Sequence, residues 1–386
     1  MLWSSPMTQT VSKGQEIGGS AETEKLTATD LDELINHACF SSILDRSAEE
    51  GIEYLLCETK GMSDITIVPR ELPNVGGKYL VITFFDETRG ERRRVISVRG
   101  TSNFKNFQGL LKTRYTEDES LGIRIHSGFF AVYTAILNDF LTWSAEDLVK
   151  KQRKEDNGFT TPATPKKLVL TGHSLGGAVA CLLAAALSTR GVQVEQVTVF
   201  GMPKFTDMIG SMKLSFLLDD IKFYRVMHLH DPVSRVPVTG PTKDAYCHPA
   251  CGRLVAIEPP TPEEKEDNTD AVSITEAPTK VPRTEISDRL RELLQLSRNL
   301  PNLPELSGVQ LPTLDPMTVI QTFNWRRPLV KPDTDKPDFS GHTLICGRDA
   351  EVRTRDLFKD VPKFSLDTHY MHYYRTCLQT IRDSQN

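Results

Sequence analysis

The chain has 386 residues, of which 39% are hydrophobic and 25% charged, and carries a formal charge of −5 at pH 7. This length can bury a sizeable core in one large domain or two small ones, and the lack of a basic surplus argues against a nucleic-acid partner. No stretch approaches the roughly 20 apolar residues of a membrane-spanning helix, and Met1-Leu2-Trp3-Ser4-Ser5-Pro6 lacks the basic and apolar regions of a secretory signal.

Residues 1–24 are polar and rich in Ser, Thr, Gly and Glu, which predicts a disordered N-terminal tail before a single domain spanning 25–386. A helical pattern starts at Thr27, with Thr29 as the expected cap and Leu31, Leu34, Ile35 and Ala38 on one face. The β-branched runs from Tyr79 to Phe85 and from Arg94 to Val98 read as a hairpin across the polar segment Asp86 to Glu91. Helical spacing returns from Phe129 to Phe140, and a charged loop is expected from Lys150 to Lys167. Then come a strand at Leu168 to Leu170, a helix from Gly176 to Thr189, and strands at Val197 to Phe200 and Phe223 to Leu229. Strands alternating with helices predict an α/β domain with a mainly parallel sheet flanked by helices. Residues 258–340 break this pattern as a Pro-rich, acidic insertion, within which Ile286, Leu290, Leu293, Leu294 and Leu300 recur at helical spacing.

Seven cysteines scattered along the chain form no disulfide framework, and a reducing compartment is the simpler expectation. Cys247-His248-Pro249-Ala250-Cys251 has no second Cys/His pair at finger or ribbon spacing, so no metal is expected there.

The chemistry concentrates where Leu168-Val169-Leu170-Thr171 runs into Gly172-His173-Ser174-Leu175-Gly176-Gly177. G-x-S-x-G between a strand and a helix is a nucleophile elbow, in which a strained turn lifts the serine hydroxyl clear of the sheet. The following helix start aims backbone N–H groups at a developing oxyanion, with Leu175 as the natural donor. Serine needs a histidine base oriented by a carboxylate, and in this fold the acid and then the base follow the serine. Asp231 closes the strand Phe223 to His230, and Pro232 ends the pairing, which places it at a strand's carboxyl end; Asp219 and Asp220 lie in a more solvated stretch. His369 is the preferred base and His372 the alternative, because both follow every other element of the site; His342 and His248 flank the insertion.

Five segments in order resemble the class 3, fungal-type lipases of the α/β-hydrolase superfamily: Ser97 to Thr101, Ile125 to Phe129, Gly172 to Gly177, Val199 to Pro203 and Tyr224 to Val233. The resemblance implies the α/β-hydrolase fold, with Thr101 as the second oxyanion donor facing Leu175 and the segment from Ser102 to Gly122 as a lid. The family's histidine is usually followed three positions later by an aromatic residue; His369 has His372 there and Tyr373 next. Secreted members tie an N-terminal helix to the C-terminal segment by a disulfide, and Cys39 and Cys377 are the candidates for those parts.

By the same resemblance the expected activity is hydrolysis of carboxylic esters of lipids, acylglycerols or phospholipids, through Ser174, Asp231 and His369, with an acyl-enzyme intermediate. Neither metal nor organic cofactor is needed for that chemistry. Two rivals stand beside it: a catalytically silent lipase-like protein that binds lipid or signals, and an esterase of soluble esters. The expected setting is cytoplasmic or peripheral at a lipid surface, with secretion left open.

Overall fold

The period-two apolar runs become the strands of an eight-stranded sheet. In the computed structural model, residues 26–100, 114–157, 167–237, 245–259, 339, 341–346 and 369–385 are described. The expected tail at 1–24, Thr101, the expected lid up to residue 113, and the insertion from 260 to 338 lie outside them.

Strands β1 (Met62–Leu72), β2 (Gly77–Asp86) and β3 (Glu91–Val98) form an antiparallel meander. A hairpin of β4 (Tyr115–Asp118) and β5 (Ile123–His126) stands apart from the sheet. From β3 the sheet continues in parallel through β6 (Lys167–His173), β7 (Gln193–Phe200), β8 (Lys222–His228) and β9 (Arg253–Glu258), and β10 (Thr343–Cys346) closes the edge antiparallel to β9. With helices on both faces, this is the α/β-hydrolase arrangement.

Alternation along the strands assigns each side chain to one of two cores. Ile96, Val98, Leu168, Leu170, Val197 and Val199 face the core shared with α3 (Ser127–Asp156) and α4 (Leu175–Ser188). Val95, Val169, Phe200 and Val226 face the opposite one, shared with α1 (Ala28–Ser42) and α2 (Ala48–Glu58). Helix α5 (Met208–Leu217) connects β7 to β8, and α6 (Met371–Ser384) returns to the second core, where Tyr374, Cys377, Leu378 and Ile381 form its buried stripe. Every residue of α4 from Leu175 to Leu187 is buried, and its glycines and alanines let it press close to the sheet.

Several expectations are adjusted. The cap of α1 is Thr27, which exchanges bonds with Asp30 in a capping box, rather than Thr29. Helix α3 runs on to Asp156, into the stretch expected to be loop from Lys150.

Burial of polar groups in this fold has a measurable consequence. His37, at 2.6 Å from the Thr198 hydroxyl, His173, and His248, at 2.8 Å from the Ser234 carbonyl, each have a pKa lowered to about 3, chiefly by burial. Between about pH 6.5 and 3 the unfolded chain therefore binds more protons than the folded one at these three sites. Stability is fully retained above pH 6.5 and falls by up to about 1.4 kcal/mol per histidine for each pH unit below it. Urea midpoints measured from pH 7.5 to 4.5 should decline steadily; a flat series would contradict this.

Candidate active site

The elbow forms because strand and helix approach too closely for side chains at its glycines. A Cβ at Gly172 would strike the Gly176 carbonyl, and one at Gly176 would strike the Val98 carbonyl on β3. Between them Ser174 adopts φ 57° and ψ −129°, a left-handed conformation disfavoured for a residue with a side chain. Its N–H donates to the Phe200 carbonyl at 2.9 Å, which pins the turn to the end of β7. Leu175 opens α4, so its N–H has no acceptor within the helix and points from the positive end of the helix dipole. Gly100 abuts this turn, since a Cβ there would lie 2.8 Å from the His173 carbonyl and 3.2 Å from the Ser174 Cβ. The chain leading into Thr101 thus passes beside the serine, although Thr101 itself is outside the described residues.

Asp231 follows β8 and is fully buried. Its Oδ1 accepts the Val233 N–H at 2.8 Å, and its Oδ2 accepts both His369 Nδ1–H at 2.9 Å and the Tyr374 hydroxyl at 2.6 Å. The Tyr374 oxygen in turn accepts the His228 N–H at 3.0 Å, so its own proton is committed to the carboxylate. Burial and the neighbouring Asp231 push the tyrosine's pKa well above its ordinary value, which keeps it a donor. With Nδ1–H of His369 held by the carboxylate, Nε2 is the ring nitrogen left to offer the lone pair that a general base requires.

His173 joins the serine side to the histidine side. Burial holds its ring neutral, its Nε2–H donates to the His369 carbonyl, and the two rings lie 4.5 Å apart between centroids. No hydrogen bond links Ser174 to His369 directly. Catalytic hydrogen bonds are often long in unliganded enzymes and tighten with substrate. His372 is exposed on the first turn of α6, stacked 5.9 Å from Tyr370, so of the two candidate bases it is His369 that meets Asp231. His342 Nδ1–H donates to the Phe339 carbonyl rather than to the acid, and Asp219 and Asp220 are exposed beyond α5.

Two positions pack against Asp231 that local sequence does not mark. Tyr374 could be read only as part of an aromatic segment, and Gly201 only as part of a motif. Gly201 has φ 53°, and a Cβ on it would lie 2.7 Å from Asp231 Oδ2 and 3.1 Å from His369 Nδ1. Gly201→Ala should therefore prise the acid and base apart and lower kcat about 100-fold, the scale of an ångström's misplacement. Steady-state kinetics of the folded variant check this; a change under threefold would contradict it.

Cys39 and Cys377 are both buried and both free thiols, so the pairing that the family resemblance suggested is not formed. Cys247, His248 and Cys251 each engage a different backbone carbonyl, those of Ala245, Ser234 and Leu214. Among the described residues no helix is long and apolar enough to cross a membrane.

Comparison with known proteins gives a consistent answer for the centre of the chain. Residues 95–240 match the family model described as Lipase (class 3). A Rhizopus niveus protein named Lipase is 26% identical over 170 residues, covering 42% of this chain and 38% of that protein. The secreted mono- and diacylglycerol lipase 1 of Fusarium solani is 28% identical over 165 residues, covering 42% of this chain and 45% of that protein. The chain thus spans less than half the length of these curated relatives. The crystal structure of a lipase from Rhizopus microsporus var. chinensis aligns with a TM-score of 0.44 at 22% identity, covering 60% of this chain and 75% of that one.

Proposed function

Taking as premise that the chain belongs to the class 3 lipase family, through residues 95–240, we propose that it is a serine hydrolase of lipid carboxylic esters. Ser174 attacks the ester carbonyl while His369 Nε2 takes its proton, and Asp231 stabilises the imidazolium. Leu175 N–H and Thr101 hold the oxyanion. His369 returns the proton to the leaving alcohol, and water, activated by the same imidazole, resolves the acyl-enzyme. The reading rests above all on one observation: a fully buried Asp231 bonded at 2.9 Å to His369, beside a serine held at φ 57° on a helix start.

Acylglycerols or phospholipids are the proposed substrates. Contact with their aggregates is supported by an apolar strip on α5, where Met208, Ile209, Met212 and Phe216 are 56%, 63%, 66% and 85% exposed, far beyond ordinary burial for such side chains. The strip fits a peripheral, reversible attachment at a lipid surface.

The test is a panel of short soluble esters, triacylglycerol, diacylglycerol and phospholipid, run beside labelling with a fluorophosphonate. Turnover of the emulsified lipids and labelling of Ser174 are expected. A protein that turns over none of them and resists labelling at every pH would be the silent lipid-binding form instead. Turnover of soluble esters alone, with no rise in rate once substrate passes its solubility limit, would make it an ordinary esterase.

A further inference from the structure

At the end of β8, three residues before Asp231, begins a cluster that the ester chemistry does not use. One ligand-competent atom from each of His228, His342 and Cys377 lies within 4.8 Å of the others. The three residues are 1%, 9% and 0% exposed, so whatever satisfies them is inside the protein. His228 Nε2 is buried with no hydrogen-bond partner, a costly state for a ring nitrogen. Tyr373 and Phe339 wall the cluster with aromatic rings, the first 5.4 Å from His228 and the second 5.6 Å from His342.

We propose that His228, His342 and Cys377 bind a thiophilic closed-shell metal ion, zinc or copper(I). One thiolate and two imidazoles are the donor set such ions select. A tetrahedral zinc with Zn–N of about 2.0–2.1 Å and Zn–S of about 2.3 Å holds its ligand atoms closer together than they stand here, so binding draws the three side chains inward. His342 is already arranged for ligation: its Nδ1–H donates to the Phe339 carbonyl at 2.9 Å, which leaves Nε2 with the lone pair. His228 must change. Its Nδ1 accepts the His230 N–H at 3.1 Å, so the ring proton sits on Nε2. Metal binding moves that proton to Nδ1 and gives up the His230 bond, while the Cys377 thiol loses its proton to solvent. Zinc then retains one open position for a water, whereas copper(I) is satisfied by three ligands.

Placement gives the metal a task. His228 ends β8, three residues before Asp231; Cys377 lies on α6, one turn past Tyr374 and eight residues after His369; His342 leads into β10. A bound ion would cross-link the acid's strand to the helix that follows the base, across a sequence separation that loop-closure entropy otherwise opposes. It is a positioning metal, not one that touches substrate.

The experiment uses the purified full chain, freed of metal and titrated separately with zinc and with copper(I). One equivalent of one of them is expected to bind with submicromolar affinity and to raise Tm. Cobalt substitution should show a thiolate-to-metal charge-transfer band that Cys377→Ser removes, and His342→Ala should weaken binding at least tenfold. His342→Ala keeps the test open if the cysteine variant does not fold. The proposal is overturned if neither ion binds at micromolar concentration, if the cobalt complex lacks the thiolate band, or if binding survives His342→Ala unchanged. Because the readout is metal uptake, it stands or falls separately from the ester hydrolysis proposed above.

Discussion

Ser174→Ala is expected to lower kcat on any ester by at least about 10⁴-fold, the scale on which serine triads lose turnover with their nucleophile. The fold should remain, since the hydroxyl makes no hydrogen bond on which the elbow depends; the Ser174 N–H to Phe200 carbonyl bond is backbone in both forms. Ser174→Gly separates chemistry from strain. It removes the hydroxyl and also the side chain that makes φ 57° unfavourable, so it should be equally inactive yet more stable by about 1 kcal/mol. Kinetics on a soluble chromogenic ester, paired with calorimetric Tm, test both halves. Activity within tenfold of the parent in either variant would remove Ser174 from the reaction.

Asp231→Asn is the second large effect, with an expected loss of about 10⁴-fold in kcat. The carboxylate Oδ2 receives two protons, from His369 Nδ1 and from the Tyr374 hydroxyl, and Oδ1 receives the Val233 N–H. An asparagine must turn its NH2 group toward one of those donor sets. If it faces the histidine, the ring reverses its tautomer and Nε2 becomes protonated, unable to accept from the serine. If it faces Val233, the turn after β8 loses its anchor and a buried N–H is left unmet. The rate of fluorophosphonate labelling of Ser174 should fall with kcat, because both report the basicity of His369. A variant that is slow on esters but labels at the parent's rate would assign Asp231 to a later step than nucleophilic attack.

The difference between what local sequence carried and what it did not follows from the range of the interactions. The elbow is largely a local object: strand, two glycines, serine and helix lie within one short stretch, and the clash that demands Gly172 is with Gly176, while the one that demands Gly176 is with Val98 on β3. Asp231 could be singled out as the candidate acid because a strand end followed by proline is also local. His369 was reached by position in the chain, and its choice over His372 required α6, whose register puts His372 in solvent and Tyr374 on the acid. Tyr374 and Gly201 meet Asp231 only through tertiary packing, so nothing in their neighbours marks them. Strand β1 went unread because it is an edge strand with Asp64, Pro69 and Arg70 in its run, a composition typical of protected edges and weak as a strand signal. Thr27 and Thr29 are both acceptable caps, each followed three positions later by an acid, Asp30 or Asp32, so nothing local separates them; in the fold the reciprocal pair forms at Thr27 and Asp30.

The attachment of α6 bears on how the protein would fail on heating. Its buried stripe packs in the core shared with α1, and the ion pairs Arg382 with Asp32 and Arg375 with Glu58 lie at partly exposed positions where such pairs add little. The parallel strands, by contrast, are locked on both sides by shared ladders and two cores. Partial opening should therefore begin with release of this one element, a sub-global event that takes Tyr374 and the adjoining His369 away from Asp231 while the sheet stays intact. Hydrolysis would fade at a lower temperature than the far-ultraviolet dichroism of the strands, and amide exchange would be faster in α6 than in β6 or β7.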